Sequence, residues 1–138
     1  MRKRLALFGS GRGSNGEAIY KAIEAGHIEG EIVLIISDRS NVGIVEKGCA
    51  WHIPVHVVEP THYGNGEAWT QAMLDILQQY EVDGILLAGY MRILLPRFVQ
   101  AYRGKILNVH PSLLPAFKGM QAQKQALLHG VKYTGCTV

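Results

Sequence analysis

Cysteine is scarce in this sequence. Among 138 residues only Cys49 and Cys136 occur, far apart and with no Cys-x-x-Cys spacing. That excludes a disulfide-stapled scaffold and suits a reducing, cytoplasmic setting. Long apolar runs are also missing, so no segment is expected to span a bilayer. The basic start, Met1-Arg-Lys-Arg4, is followed by a short apolar stretch and then a glycine-rich loop, which fits a first strand rather than a signal peptide. Basic residues are not clustered elsewhere. With 14 Lys and Arg against 11 Asp and Glu, the net charge is +3. This mild excess suits a phosphorylated or carboxylated small molecule and lacks the basic face of a nucleic-acid binder. The histidines His27, His52, His56, His62 and His129 show no ligand spacing, and Pro54 interrupts the one i,i+4 pair, so no metal site is expected. Repeats, linkers and low-complexity tracts are absent as well.

What is present is a globular composition, 48% hydrophobic, at a length that suits one domain over 1–138. Strands are expected at Arg4–Phe8, Glu31–Ser37, Val55–Val58, Gly84–Ala88 and Ile106–His110. Helices are expected at Asn15–Ala25, Asn41–Cys49, Glu67–Tyr80, Pro96–Tyr102 and Gln121–His129. Two signals are strongest. The run Ile32-Val-Leu-Ile-Ile36 is apolar without alternation, as in a parallel strand covered on both faces. Trp69, Met73, Ile76, Leu77 and Tyr80 form one stripe at helical spacing and fit core packing. Strands that alternate with helices give an α/β fold: an open, mostly parallel, Rossmann-like sheet flanked by helices, with ligands at the carboxyl ends of the strands. Thr134–Val138 starts a further β run. The chain stops inside it with no turn or polar tail, which suggests a truncated sequence.

Three segments offer chemistry. Gly9-Ser-Gly-Arg-Gly-Ser-Asn15 joins the first strand to the first helix. Its glycines let the backbone approach an anion, and the helix start supplies free N–H groups. It lacks the Gly-Lys-Ser/Thr ending of a Walker A loop, and Ser14 stands where the dinucleotide fingerprint needs its third glycine. A monophosphate site and a plain tight turn remain open. Asp38, after the second strand, fits a turn or helix-cap acid better than a ribose-holding acid. Met91-Arg-Ile-Leu94 follows a strand and fits either a pocket lined by backbone groups and apolar side chains or, taken alone, the better-supported core-facing turn. In Ile106-Leu-Asn-Val-His-Pro-Ser-Leu-Leu-Pro115, an amide and an imidazole sit two positions apart and would project to one side of a strand. An amide that donates to a developing oxyanion beside a proton-transferring base suits acyl transfer. The alternative is a buried Asn–His pair that satisfies backbone groups at the strand end.

Taken in order, Gly11-Arg-Gly-Ser-Asn15, Ala88-Gly-Tyr-Met-Arg-Ile-Leu94 and Asn108-Val-His-Pro-Ser-Leu-Leu-Pro115 resemble the glycinamide ribonucleotide transformylase family. These are the folate-dependent formyltransferases of purine synthesis. The third motif is shared across formyl-folate transferases, and the first narrows the resemblance. It covers the N-terminal two-thirds of a typical member. The resemblance implies a formyltransferase fold and a direct transfer of formyl from 10-formyltetrahydrofolate, as co-substrate, to the amine of glycinamide ribonucleotide. Gly13, Ser14 and Asn15 would hold the substrate phosphate. Met91, Arg92, Ile93 and Leu94 would line the folate pocket. Asn108 would contact the formyl oxygen, and His110 would be the general acid/base. It also implies a monomer or homodimer with small-molecule partners and neither nucleic acid nor membrane.

The sequence departs from the family in several places. An Asp that orients the catalytic His lies, in the family, shortly beyond the position of Val138. Gly66 stands where members often carry Arg, and Gln121 and Gln123 stand where His is common. The 138-residue chain is therefore expected to be weak or inactive. Two other readings remain. One is formyltetrahydrofolate deformylase, which shares Tyr90-Met-Arg-Ile-Leu94 but tends to have His where this chain has Pro111. The other is a non-catalytic nucleotide- or folate-binding domain. A nicotinamide-dependent dehydrogenase is disfavoured by the broken glycine pattern.

Overall fold

The computed structural model describes residues 1–138. The chain forms two compact units, Met1–Ile106 and Leu107–Val138. The first contains β1 (Lys3–Gly9), α1 (Ser14–Glu24), β2 (Gly30–Ser37), α2 (Gly43–Ala50), β3 (Val55–Val57), α3 (Gly66–Gln79), β4 (Gly84–Leu87) and α4 (Pro96–Ala101). At its end β5 (Ile106–Asn108) carries the chain into the second unit, whose one helix is α5 (Ala122–His129). No helix is long and apolar enough to cross a membrane.

The sheet order is β3-β2-β1-β4-β5. The β1–β2, β1–β4 and β2–β3 ladders run parallel, so the parallel α/β architecture expected from the sequence is formed. Alternation along β1 sends Ala6 and Phe8 to one face and Leu5 and Leu7 to the other. On the first face, Phe8, Leu34, Ile36 and Ile85 pack against Trp69, Met73 and Leu77 of α3 and Phe98 of α4. On the second, Leu7 and Ile35 pack against Ile23 of α1 and Ile44 of α2. The β1–β2 register shifts after Leu5 pairs with Ile32, so that Ala6 pairs with Leu34. Val33 is the extra residue of a bulge, and Val33 and Leu34 both join the first cluster.

Local signals explain the helix limits. Asn65 caps α3 by accepting the Ala68 N–H at 2.8 Å. Trp69 donates its indole N–H to the Val58 carbonyl at 3.1 Å, which lets a buried Trp satisfy its polar group. Pro96 opens α4, where a missing N–H costs nothing. Gly130 closes α5 at φ 78.

The expected strands Val55–Val58 and Gly84–Ala88 each end one residue early, at Val57 and Leu87, and two others fall further short. The Ile106–His110 strand ends at Asn108. His110 instead forms an isolated antiparallel bridge with Thr137. Pro111 follows, has no N–H, and cannot extend that pairing. The run Thr134–Val138 consequently contributes this single bridge and no strand. The His110 and Thr137 backbones exchange bonds of 2.8 and 2.9 Å. Thr137 Oγ1 donates to the Ser112 carbonyl at 2.7 Å and accepts the Leu114 N–H at 3.0 Å. Residues 107–138 contain no Asp or Glu.

Candidate functional site

Strand order reverses between β1 and β4: from β1 the chain moves outward to β2 and β3, then returns to place β4 on the other side of β1. Loops that leave such neighbours at their carboxyl ends diverge and open a crevice. Here the two loops are 9–15 and 88–94. They are tied together at their bases. The Ser10 N–H donates to the Gly89 carbonyl at 3.1 Å, and the Met91 N–H donates to Ser10 Oγ at 2.9 Å.

The first loop ends at Gly13, which caps α1 with φ 77 and ψ 27. Only glycine enters this region without cost. Space makes the same demand, since a Cβ on Gly13 would lie 2.8 Å from Ile44 Cδ1. The first helical bond runs from the Glu17 N–H to the Gly13 carbonyl at 2.8 Å. The amides of Ser14, Asn15 and Gly16 therefore precede the helical ladder, and no side chain caps them. Ser14 and Asn15 are exposed. The loop is braced from α2: the Ile44 N–H donates to the Gly11 carbonyl at 3.0 Å, and Lys47 Nζ donates to the Arg12 carbonyl at 3.0 Å. Glu17 sits between Lys47 at 2.8 Å and Lys21 at 2.9 Å. Lys47, then Lys21, lowers its pKa to about 2, so its charge is neutralised locally by fixed cations.

The second loop presents mixed surfaces. Met91 and Ile93 are exposed, Ile93 at 89%, while Leu94 packs against the α3–α4 side of the core. The core-facing-turn reading thus holds for Leu94 alone. Asp38 corrects another expectation. It caps no helix, since Val42 precedes α2. Its side chain is fully buried, and Oδ2 accepts a bond from Arg92 Nε at 2.7 Å. Arg39 Nε lies at 4.0 Å. Oδ1 is buried without a partner. Beneath the loop, the Tyr90 hydroxyl donates to Met73 Sδ at 3.8 Å. Burial, reinforced by the Asp38 charge, pushes this phenol above the ordinary tyrosine range.

In the second unit, His110 Nε2 lies 3.0 Å from the Phe117 carbonyl. A carbonyl only accepts, so Nε2 carries the hydrogen and Nδ1 is the basic nitrogen of the neutral ring. Phe117 holds this position at φ 51, a backbone region that L-residues seldom adopt. With no carboxylate in residues 107–138, nothing acidic within this unit partners His110. Asn108, the last residue of β5, is exposed and His110 half-buried, so the two do not form a buried pair, although His110 does satisfy a backbone carbonyl. Gln121 precedes α5 in the left-handed region at φ 54, and Gly66 opens α3 where an added Cβ would meet Leu95 Cδ1 at 2.9 Å.

Sequence reasoning found both loops and the His110 segment. It missed Ser10 as the tie between the loops, the Asp38–Arg92 pair and the Phe117 carbonyl. Ser10 had a usable signal, because a hydroxyl directly after a buried strand is placed to reach a neighbouring loop. The other two depend on backbone directions that no local pattern encodes.

The formyl transferase family profile matches residues 3–138. Phosphoribosylglycinamide formyltransferase of Bacillus subtilis (strain 168) is 44% identical over 136 residues, a span of 99% of this chain and 70% of that protein. The trifunctional purine biosynthetic protein adenosine-3 of Gallus gallus is 42% identical over 135 residues, 98% of this chain and 14% of that longer protein. The crystal structure of phosphoribosylglycinamide formyltransferase from Bacillus halodurans superposes with a TM-score of 0.95 at 42% identity, covering 98% of this chain and 70% of that one. A match of this extent, on a sheet whose β1 and β4 loops meet at the strand-order reversal, establishes that the chain belongs to the formyl transferase family.

Proposed function

We propose that the protein transfers the formyl group of 10-formyltetrahydrofolate to the amine of glycinamide ribonucleotide, a step of purine biosynthesis. The observation that carries this reading is the uncapped start of α1 behind Gly13, hydrogen-bonded through Ser10 to the 88–94 loop. Free amides at a helix start suit a phosphate, and the similar proteins are named for formyl transfer to phosphoribosylglycinamide.

In this reading Gly13, Ser14 and Asn15 receive the ribonucleotide phosphate. Met91, Arg92, Ile93 and Leu94 receive the folate. The substrate amine attacks the formyl carbon, forming a C–N bond and a tetrahedral oxyanion. The Asn108 amide donates to that oxygen. Collapse breaks the bond to the folate nitrogen, and His110 manages the protons. Its Nδ1 takes one from the attacking amine, and a proton returns to the departing nitrogen. The Phe117 carbonyl fixes which ring nitrogen is basic.

The test follows formyl loss from 10-formyltetrahydrofolate with the protein expressed from its own gene, with and without glycinamide ribonucleotide. Loss only when the ribonucleotide is present is the expected result. Loss without it identifies a deformylase, and no loss in either mixture leaves a binding domain or a broken fragment.

A further inference from the structure

Asp38 is an expensive residue to keep. It lies beyond the end of β2 with its side chain fully buried, and one carboxylate oxygen makes no hydrogen bond. An apolar residue at such a position would avoid both the desolvation of the charge and the orphaned oxygen, and buried ion pairs are seldom the best route to stability. The partner differs from Asp38 in one respect. The Arg92 side chain is 41% exposed, so its guanidinium spans from the buried carboxylate to solvent. The bond to Asp38 uses Nε. The paired Nη groups, which form the flat fork suited to anions, are not needed for that contact. Ser10 meanwhile fixes the adjoining Met91 amide. Backbone and side chain of the 88–94 loop are therefore held by residues that directly follow two separate strands, β1 and β2.

We propose that Asp38 is a positioning residue for formyl-folate binding: it fixes the Arg92 guanidinium through Nε and thereby sets the shape of the loop that receives the co-substrate. This inference rests on the transformylase reading above. In this proposal Asp38 acts through Arg92 at 2.7 Å and not by contact with substrate; the other cation near it, Arg39, lies at 4.0 Å.

The experiment uses the protein expressed from its own gene and measures KM for each substrate and kcat for wild type, Asp38→Asn, Arg92→Ala, Arg92→Lys and the Asp38→Asn/Arg92→Ala double variant. Asp38→Asn keeps the shape and removes the charge. It should raise KM for 10-formyltetrahydrofolate about tenfold, the equivalent of one charge-assisted hydrogen bond. Turnover and KM for the ribonucleotide should stay within about twofold, a split that a general loss of structure would not produce. The double variant should be no worse than Arg92→Ala alone, because Asp38 has nothing left to position. Arg92→Lys leaves Asp38 untouched, and so decides the matter even if Asp38→Asn does not fold. It keeps the charge but loses the Nε–H and the fork, and it should match Arg92→Ala. A wild-type folate KM in either Asp38→Asn or Arg92→Lys, or multiplied losses in the double variant, overturns the proposal while leaving the transformylase reading intact. Absence of ribonucleotide-dependent formyl transfer by the wild type overturns both.

Discussion

The hydroxyl of Ser10 accepts the amide N–H of Met91 at 2.9 Å, a bond between residues 81 positions apart. It joins the loop that follows β1 to the loop that follows β4. Ser10 is 4% exposed, so water does not readily replace it. Ser10→Ala should cost about 1 kcal/mol of stability, the net worth of one such bond. Because the bond joins both proposed substrate loops, KM for both substrates should rise together. Urea unfolding and steady-state kinetics check this, and an effect on one KM alone would refute the idea of a shared brace.

Gly13 faces two demands at once, a positive φ and the close approach of Ile44. Gly13→Ala should destabilise by about 2 kcal/mol, from the left-handed conformation together with overpacking. Binding of the ribonucleotide should weaken more than binding of folate. Titration with each substrate separately, alongside thermal unfolding, tests the order.

His110 and Asn108 carry the proposed chemistry. His110→Ala should lower kcat by about 10²–10⁴-fold, the usual worth of general acid–base catalysis. Asn108→Ala should lower it by about 10²-fold, as for loss of an oxyanion donor. Neither change touches a core residue, so thermal stability should fall by no more than about 1 kcal/mol, the net worth of the bond from His110 to the Phe117 carbonyl. Loss of the fold in place of turnover would contradict these assignments.

Glu17 gives a pH signature. Its folded pKa is lowered from 4.5 to about 2 by Lys47 and Lys21. A depressed carboxylate binds fewer protons folded than unfolded, so its contribution to stability is complete above about pH 4.5 and fades as pH falls towards 2. The stability gap between wild type and Glu17→Gln should therefore be constant near neutrality and close in acid. Urea unfolding across this range measures it, and a gap independent of pH would rule the ion-pair account out.

Much of the fold was legible because its signals are local. The apolar run Ile32–Ile36 announced a strand covered on both faces, and the Trp69–Met73–Leu77 stripe announced α3. The limits of β5 were less visible. Ile106–His110 looks like one strand, yet pairing ends at Asn108 and His110 bonds instead to Thr137, 27 positions later. The glycine loop was legible from spacing, since a strand, a glycine cluster and a helix fix its geometry. Asp38 was not. Next to Arg39 and Ser40 it resembles a turn residue, and its actual partner, Arg92, lies 54 positions away. Phe117 was equally hidden, because nothing in a phenylalanine signals a left-handed backbone whose carbonyl meets an imidazole.

The lack of acidic residues in 107–138 has an electrical consequence. Residues 1–106 hold eleven Lys and Arg and eleven Asp and Glu, a neutral balance. Lys118, Lys124 and Lys132 stand alone in the remainder. The whole net charge of the chain thus resides in its last 32 residues. These three lysines, unopposed by any carboxylate of their own segment, attract negatively charged molecules, and added salt screens the attraction.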